Sequence, residues 1–384
     1  MARDRFEEIM RYMHFADNSK LDQHDKYAKL RPLFVHLNAA FLASFCQEDS
    51  LCVDESMVPY YGRHGCKQFI RGEPIRFGYK VWSLNTSLGY MVQFEAYQGK
   101  GSVTQAALGL GGSVVVDLTK LLPTGPSYKI YFDNFFTSPT LLDSLAQRGF
   151  GATGTVRANR TDKCPVITPE VLKKQPQGSY DYRYDENGKF IVIRWNDNSP
   201  VTIASNVHGV HPVDKAKRWS SAQKKTIEID QPAAIKHYNS QMGGTDRMDQ
   251  NVGCYRICIR SKKWWWPLFI YFVDVAMQNA YYLYKRSPSQ QSRQLDFLGF
   301  KRDIVDVYSK KYASRLHMGR PFGKVPSLEK RVQAEVRYDG KDHIIQYVKN
   351  QRVCPHCTKK ANFICVKCGV ALHPKGCFIH FHRS

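Results

Sequence analysis

Residues 128–156, YKIYFDNFFTSPTLLDSLAQRGFGATGTV, carry the pattern of a strand, a helix and a second strand in one unbroken stretch. Tyr128, Ile130 and Phe132 alternate with Lys129 and Tyr131, and the aromatic and β-branched content fits a strand buried on at least one face. A helix is expected from Ser138 to Gly149, and GATGTV reads as another short strand. Asp133 interrupts this pattern, a lone carboxylate between an apolar run and two phenylalanines. Such a group is costly to bury unless it is hydrogen-bonded, paired or bound to a cation. Taken alone it reads as an N-cap of the following helix or a turn residue, so its partners decide.

Working outward, LCVDESMV, GYKVWSLNTS and GYMVQFEAYQG are β-rich runs separated by turns, which predicts an antiparallel meander ahead of the quoted stretch. VVVDLTKLL supplies a helix between them and residue 128. Three strands, a helix, a strand and a helix give an α/β fold in the order of a ribonuclease H-like sheet. RFEEIMRYMHF and LRPLFVHLNAAFLASFCQ have helical spacing and make residues 1–50 a helical first segment. The first part of the catalytic core is expected over 51–157. Residues 158–228 turn polar, with short strands such as KFIVIRW and VTIASN, and are read as an insertion and not as a continuation of the sheet. Helical pattern returns from 229, closing the core by 251 and giving a second helical segment over 252–320. A basic linker over 321–350 leads to a cysteine-rich tail, 351–384.

Lys and Arg outnumber Asp and Glu by 56 to 34, a formal net charge of +22, which points to a polyanionic partner, nucleic acid first. The N-terminus lacks a signal-peptide core, and the apolar run from Trp264 carries Pro267, Asp274, Gln278 and Asn279, so it reads as a buried helix and not a membrane span. A protein acting inside the cell, without membrane association, is expected. Of eleven cysteines, five lie in residues 354–384, which suits metal binding and not a secreted disulfide framework.

Asp54, in LCVDESM, is a second acid inside an apolar β run. Asp246, in GGTDRMDQ, is a third, with Asp249 three residues on and so on the same helical face. Singly, each has an ordinary explanation in backbone bonds, caps or ion pairs. Together they look like a carboxylate cluster built for divalent metal and phosphoryl transfer. Two ions about 3.5–4 Å apart can activate a nucleophile, hold the leaving oxygen and neutralise developing charge. Oxygen ligands suit Mg²⁺.

DESMVPYYGR, IRFGYKVW, YFDNFFTS, YNSQMGGTDRMDQ and RSKKWWWP, in that order, resemble the piggyBac transposase family, including its genome-resident domesticated derivatives. The resemblance implies that Asp54, Asp133 and Asp246 form a DDE/D triad holding two Mg²⁺, with Asp249 a further acid needed at the site. It implies a ribonuclease H-like core with an insertion, bracketed by a two-segment helical domain for dimerisation and DNA binding. It implies hydrolysis at transposon ends, a hairpin intermediate and joining to TTAA targets by a homodimer in the nucleus. No small-molecule substrate is expected. Family members also carry an acidic N-terminal region and more of the first helical segment than precedes MARDRFEEIMRYMHF here. A domesticated derivative that binds DNA or chromatin without cutting is the rival reading; a ubiquitin ligase built on the tail leaves the acids and the basic surplus unexplained.

In VCPHCTKKANFICVKCGVALHPKGCFIHFHRS, Cys354, Cys357, Cys365, Cys368, His373, Cys377, His380 and His382 supply enough ligands for two tetrahedral Zn²⁺. So short a segment has too little apolar core to fold without them. The arrangement resembles the RING- or PHD-like finger that ends many piggyBac proteins, where it recognises transposon-end DNA. Arg260, Lys262 and Lys263 beside three tryptophans suit phosphate contact and base stacking, with Trp266 the expected stacking residue.

Overall fold

The structure, a computed structural model, describes residues 3–72, 74–99, 105–123, 127–161, 164–187, 189–220, 223–287, 295–312 and 332–383. Its contacts divide the chain into a unit ending at Arg286 and a second from Ser287. Most of the expected basic linker's first part, within 313–331, lies outside the described residues.

Helices α1 (Arg3–Tyr12) and α2 (Arg31–Ala43) precede the strands β1 (Ser50–Pro59), β2 (Lys67–Phe69), β3 (Phe77–Thr86) and β4 (Met91–Ala96). Next come α3 (Gly109–Thr119), β5 (Lys129–Phe132), α4 (Pro139–Gln147) and β6 (Gly151–Thr155). β3 pairs antiparallel with both β1 and β4, the expected meander, and the short β2 adds to its other end. β5 then lies parallel to β1, and β6 parallel to β5.

Downstream the sequence reading is corrected. After the short helix α5 (Pro169–Leu172), strands β7 (Tyr180–Asp185), β8 (Phe190–Asn196) and β9 (Pro200–Ser205) join the same sheet, β9 pairing with β6. KFIVIRW and VTIASN therefore continue the sheet, which runs β2-β3-β1-β5-β6-β9-β8-β7 with β4 on β3. Polar turns between these strands hid that their inner residues, Val192, Ile193, Trp195 and Ile203, are core. Within the segment read as an insertion, the hairpin of β10 (Asp214–Ser220) and β11 (Lys225–Gln231) stands apart as its own two-stranded sheet.

Alternation along the strands sends Leu51, Val53, Trp82 and Leu84 to one face, where they pack with Val114, Val115, Leu118, Leu141 and Leu145 of α3 and α4. The other face meets α2 and three further helices, α6 (Ala233–Gln241), α7 (Gly244–Cys254) and α8 (Trp266–Arg286). Phe34 and Phe41 of α2 share a cluster with Met248 of α7 and Leu268, Phe272 and Val275 of α8. The polar residues that made α8 unsuited to a membrane are buried and satisfied: Gln278 donates to the Gly89 carbonyl at 2.8 Å, and Asn279 exchanges two 2.9 Å bonds with Met91. Among the described residues no helix is long and apolar enough to cross a membrane.

In the second unit, α9 (Phe297–Tyr312) and α10 (Ala334–Arg337) precede a hairpin of β12 (Ile345–Val353) and β13 (Lys360–Cys365), and α11 (Cys377–His382) ends it. Its core around the hairpin is small: Cys354, Ala361, Cys365, Val370, Ala371, Leu372 and Phe381.

Candidate active site and metal centres

On β1, period-2 alternation sets Cys52, Asp54 and Ser56 on the face opposite Leu51 and Val53. Cys52 pairs across the ladder with Asn85 and Asp54 with Ser83, so a polar stripe runs through an apolar sheet. Asn85 donates to Ser83 Oγ at 2.6 Å and to Thr245 Oγ1 at 2.7 Å, pinning the start of α7 to that stripe. Gly244 allows the approach: a Cβ there would lie 2.1 Å from the Thr86 carbonyl oxygen and 2.7 Å from Cys52 Sγ. The glycine pair thereby sets Asp246 in the first turn of α7, where the helix N-terminus favours a carboxylate.

Asp133 follows β5 directly, one strand over from Asp54. It is not the cap of α4, whose N-cap is Ser138, accepting from the Leu141 N–H at 3.2 Å. Asp133 instead accepts the Phe135 N–H at 2.8 Å, while its carbonyl takes the Thr137 hydroxyl at 2.8 Å. The turn is thus held by the carboxylate and the carbonyl of the same residue.

Burial pushes Asp54 up to about 7, opposed by the Glu55 N–H and reinforced by the charges of Glu55, Asp133 and Asp246. Burial also raises Asp133, against the Phe135 N–H, with Glu55 adding to the rise and Lys80 opposing it. Asp249 is raised to about 6 by burial and by Asp246, although the Tyr271 hydroxyl donates to it at 3.2 Å. These carboxylates feel one another in a dry setting, which a divalent cation with a preference for oxygen would relieve. All are oxygen donors, so the residue set fits Mg²⁺. As a set of three, their oxygens do not close to within 4.8 Å of one another.

The tail brings its ligands closer. Cys354, Cys357, His373 and Cys377 form one group with all ligand atoms within 4.8 Å, and His343, Cys365, Cys368 and His382 form another. The pairs alternate along the chain, as a cross-braced finger requires. Tetrahedral zinc with thiolate and imidazole ligands sets its S and N atoms about 3.6 Å apart. The measured Sγ···N separations are 3.3 Å for Cys357–His373, 3.5 Å for both Cys365–His343 and Cys368–His343, and 3.4 Å for Cys368–His382. Each imidazole's outer nitrogen has an acceptor: the Lys360 carbonyl for His373, the Phe378 carbonyl for His382 and Asp339 for His343. This is the outer-shell arrangement of ligating histidines. The residues therefore fit two Zn²⁺.

His380 belongs to neither group and instead faces His356, with ring centroids 5.5 Å apart. His343 takes the eighth position. It lies outside the cysteine-spaced run, and the one sequence hint was Asp339 four residues earlier. Lys367 donates to both Asp339 oxygens, at 2.7 and 2.6 Å, so the carboxylate is held between a lysine and the histidine it orients. Against burial's upward push, Lys367 and the Lys341 N–H bring Asp339 down to about 2.

The RSKKWWWP motif is divided. Trp266 is 5% exposed, and its Nε1–H donates to the Ile259 carbonyl at 2.7 Å, so it is a core residue and the expectation that it stacks on DNA is overturned. Arg260 and Lys262 are exposed. Lys263 donates to the carbonyls of Arg11 and Met13 at 2.9 and 3.2 Å. Trp264, half-buried, stacks on His64 with centroids 4.2 Å apart.

A family model described as transposase IS4 matches residues 1–281. The chain is 44% identical over its whole length to human PiggyBac transposable element-derived protein 3, covering 64% of that protein, and 40% identical to human PiggyBac transposable element-derived protein 2, covering 63%. It spans less than two thirds of the length of these curated relatives. Among solved structures, the cryo-EM structure of a piggyBac transposase synaptic complex with hairpin DNA aligns with a TM-score of 0.67 at 22% identity, over 100% of this chain and 79% of that one. At that identity the likeness speaks for the fold. Whole-length identity, a family match over most of the first unit and a shared fold lead to one conclusion: the chain belongs to the piggyBac transposase family.

Proposed function

We propose that this chain is a DDE/D-type, Mg²⁺-dependent DNA transposase whose site is Asp54, Asp133, Asp246 and Asp249. One observation carries the reading: acids from β1, from the turn after the adjacent parallel strand β5 and from the first turn of α7 converge closely enough that Asp54 is raised by both of the others. The order β4-β3-β1-β5-β6, antiparallel in the first three strands and parallel in the next two, supports a ribonuclease H-like core. Packing of α2 against α8 supports a helical domain made of two separated segments. The +22 charge supports a DNA partner.

Asp54, Asp133 and Asp246 would hold the metal, and Asp249, fixed by Tyr271, would keep its charge beside them. Bound there, Mg²⁺ supplies Lewis-acid polarisation and charge neutralisation at a phosphodiester. The half-buried carboxylates of Asp54 and Asp133 would orient it, with Asp246 exposed toward solvent. Cutting at transposon ends, a hairpin intermediate, joining to TTAA, a homodimer and a nuclear location complete the reading. A Zn²⁺-loaded finger would read the end sequence.

The test is nicking of a TTAA-flanked duplex by the full chain in Mg²⁺. Asp133→Asn keeps shape and removes charge, so cleavage should fall by roughly 10³-fold or more while DNA binding persists, and pairing it with Asp54→Asn should add little. Near-normal nicking by Asp133→Asn would refute the site. A wild-type chain that binds the duplex without nicking it would favour the second reading, a transposase-derived DNA-binding protein.

A further inference from the structure

Three parallel strands end side by side at the acids. Val53 of β1 pairs with Phe132 of β5, and Phe132 with Gly154 of β6. One residue further along each strand the row reads Asp54, Asp133, Thr155. Two residues before it, in the same registers, come Cys52, Tyr131 and Thr153, which share its face. Helix α6 is tied to this face by two rings: His237 stacks on His208 with centroids 4.1 Å apart and planes 9° apart, and His208 Nε2 lies 2.9 Å from the Tyr131 hydroxyl. The next residue of α6, half-buried Tyr238, sets its phenol oxygen 3.5 Å from Thr155 Oγ1, at the β6 end of the row of acids.

That contact is long for two hydroxyls, and among the described residues neither has another hydrogen-bond partner. Burial pushes the phenol up to about 12, opposed by Thr155, with Asp133 and then Asp54 adding to the rise. Tyr238 is therefore a proton donor at neutral pH, close enough to feel both acids. Among the described residues it makes no hydrogen bond to either, so it does not compete with a cation for them. The acids offer only acceptors. A phosphodiester seated there by metal has non-bridging oxygens of its own that need donors, and a preorganised neutral hydroxyl supplies one without repelling the metal. Tyr238 also belongs to the run YNSQMGGTDRMDQ that carries Asp246 and Asp249.

We propose that Tyr238 is a further catalytic residue, its phenol donating a hydrogen bond to a non-bridging oxygen of the phosphodiester held at Asp54 and Asp133. The phenol keeps its proton throughout, and no bond to the tyrosine is made or broken. It orients the phosphate and stabilises charge on that oxygen. The inference rests on the DNA-cutting reading for its ligand, but its main readout requires no cleavage.

The experiment compares wild type with Tyr238→Phe, which keeps the ring and removes only the hydroxyl. Affinity for a short fluorescent DNA duplex is measured across a salt series with and without Ca²⁺, an oxygen-preferring ion that can seat a phosphate at carboxylates. Ca²⁺ should tighten wild-type binding, and Asp54→Asn should lose that gain, which places it at the acids. In Ca²⁺, Tyr238→Phe should bind about tenfold more weakly, the scale of one hydrogen bond to a charged oxygen. Without Ca²⁺ it should match wild type. Its salt slope should be unchanged in both conditions, because a neutral donor releases no counterion. Nicking in Mg²⁺ at subsaturating duplex should fall by the same factor. If the Ca²⁺-restricted loss appears in a protein that does not nick, the DNA-cutting reading falls and the phenol contact stands. The contact is overturned if Tyr238→Phe matches wild type in Ca²⁺, if it loses as much affinity without the ion as with it, or if Ca²⁺ fails to tighten wild-type binding at all.

Discussion

The acid site and the finger both gather ligand atoms, from opposite starting points. The acids ride on a sheet with large apolar clusters on both faces, and that fold forms in spite of them: burial and mutual repulsion raise Asp54, Asp133 and Asp249. The finger's buried apolar cluster is seven residues, two of which, Cys354 and Cys365, belong to the groups that could hold metal. In one region the fold makes the site, and in the other, with zinc bound as proposed, the site would make the fold.

The largest effect should come from removing metal from the finger. Structural Zn²⁺ contributes about 10–16 kcal/mol of folding free energy per ion in finger peptides, more than so small a core can replace. Chelation, or Cys365→Ser, should therefore leave residues 332–383 protease-sensitive while the sheet unit still melts cooperatively. Metal analysis refines this: about two Zn²⁺ per chain, falling to about one in His343→Ala and unchanged in His380→Ala. Protection of the tail without metal, or equal loss in both histidine variants, would break the contrast.

That pair of histidines also marks where the sequence was readable. The meander, the strand at 128 and the helices on either side followed from local periodicity, and the acids stood out because each interrupts an apolar run. CxxC spacing exposed four candidate ligands of the finger, and the short spacings after it exposed His373, Cys377 and His382. His343 was missed because it comes from a segment joined to the site by folding, with no spacing rule linking it to Cys365. β7 to β9 read as an insertion from sequence for the same reason: pairing β9 with β6 spans about fifty residues, and polar sequence between them carries no trace of it. Trp266 illustrates the reverse error, since neighbouring cations suggested an exposed role, whereas helical phase turned the indole inward.

A second effect, smaller and of opposite sign, belongs to the acid site. With Asp54 at about 7 when folded and 3.8 as its ordinary value, the folded state holds the proton more tightly, so stability falls as pH rises between these values and is flat above. Asp54→Asn removes that loss. Its melting temperature should exceed wild type at pH 8 without metal, by roughly 2–4 °C per kcal/mol relieved, and the gain should shrink toward pH 5. Adding Mg²⁺ at pH 8 should narrow the difference, because only the wild type gains a cation. A variant less stable than wild type at pH 8 would mean that Asp54 serves the fold after all.

The smallest expected effect lies at the basic surface, and it divides two adjacent lysines. Lys262 is exposed in a cleft of about 710 Å³ that Arg11, Lys29 and Arg63 also line. It makes no hydrogen bond or ion pair among the described residues, so Lys262→Gln should leave the melting temperature alone and, if the cleft holds a DNA phosphate, reduce the salt slope by about 0.9. Lys263 has the same charge but a structural task. Its ammonium binds the carbonyls of Arg11 and Met13 and lies 5.1 Å from the centre of the Trp265 ring, docking the C-terminal end of α1 onto the start of α8. Lys263→Gln should therefore lower stability, by about 1.5–3 kcal/mol for a charged hydrogen-bonding group, with a smaller change in slope than Lys262→Gln. Melting curves and a salt series on the same two proteins decide it. If neither variant changes the slope, the cleft that both lysines line is not the DNA surface and the basic motif must act through Arg260 instead, and if Lys263→Gln leaves the melting temperature unchanged, its structural task is refuted.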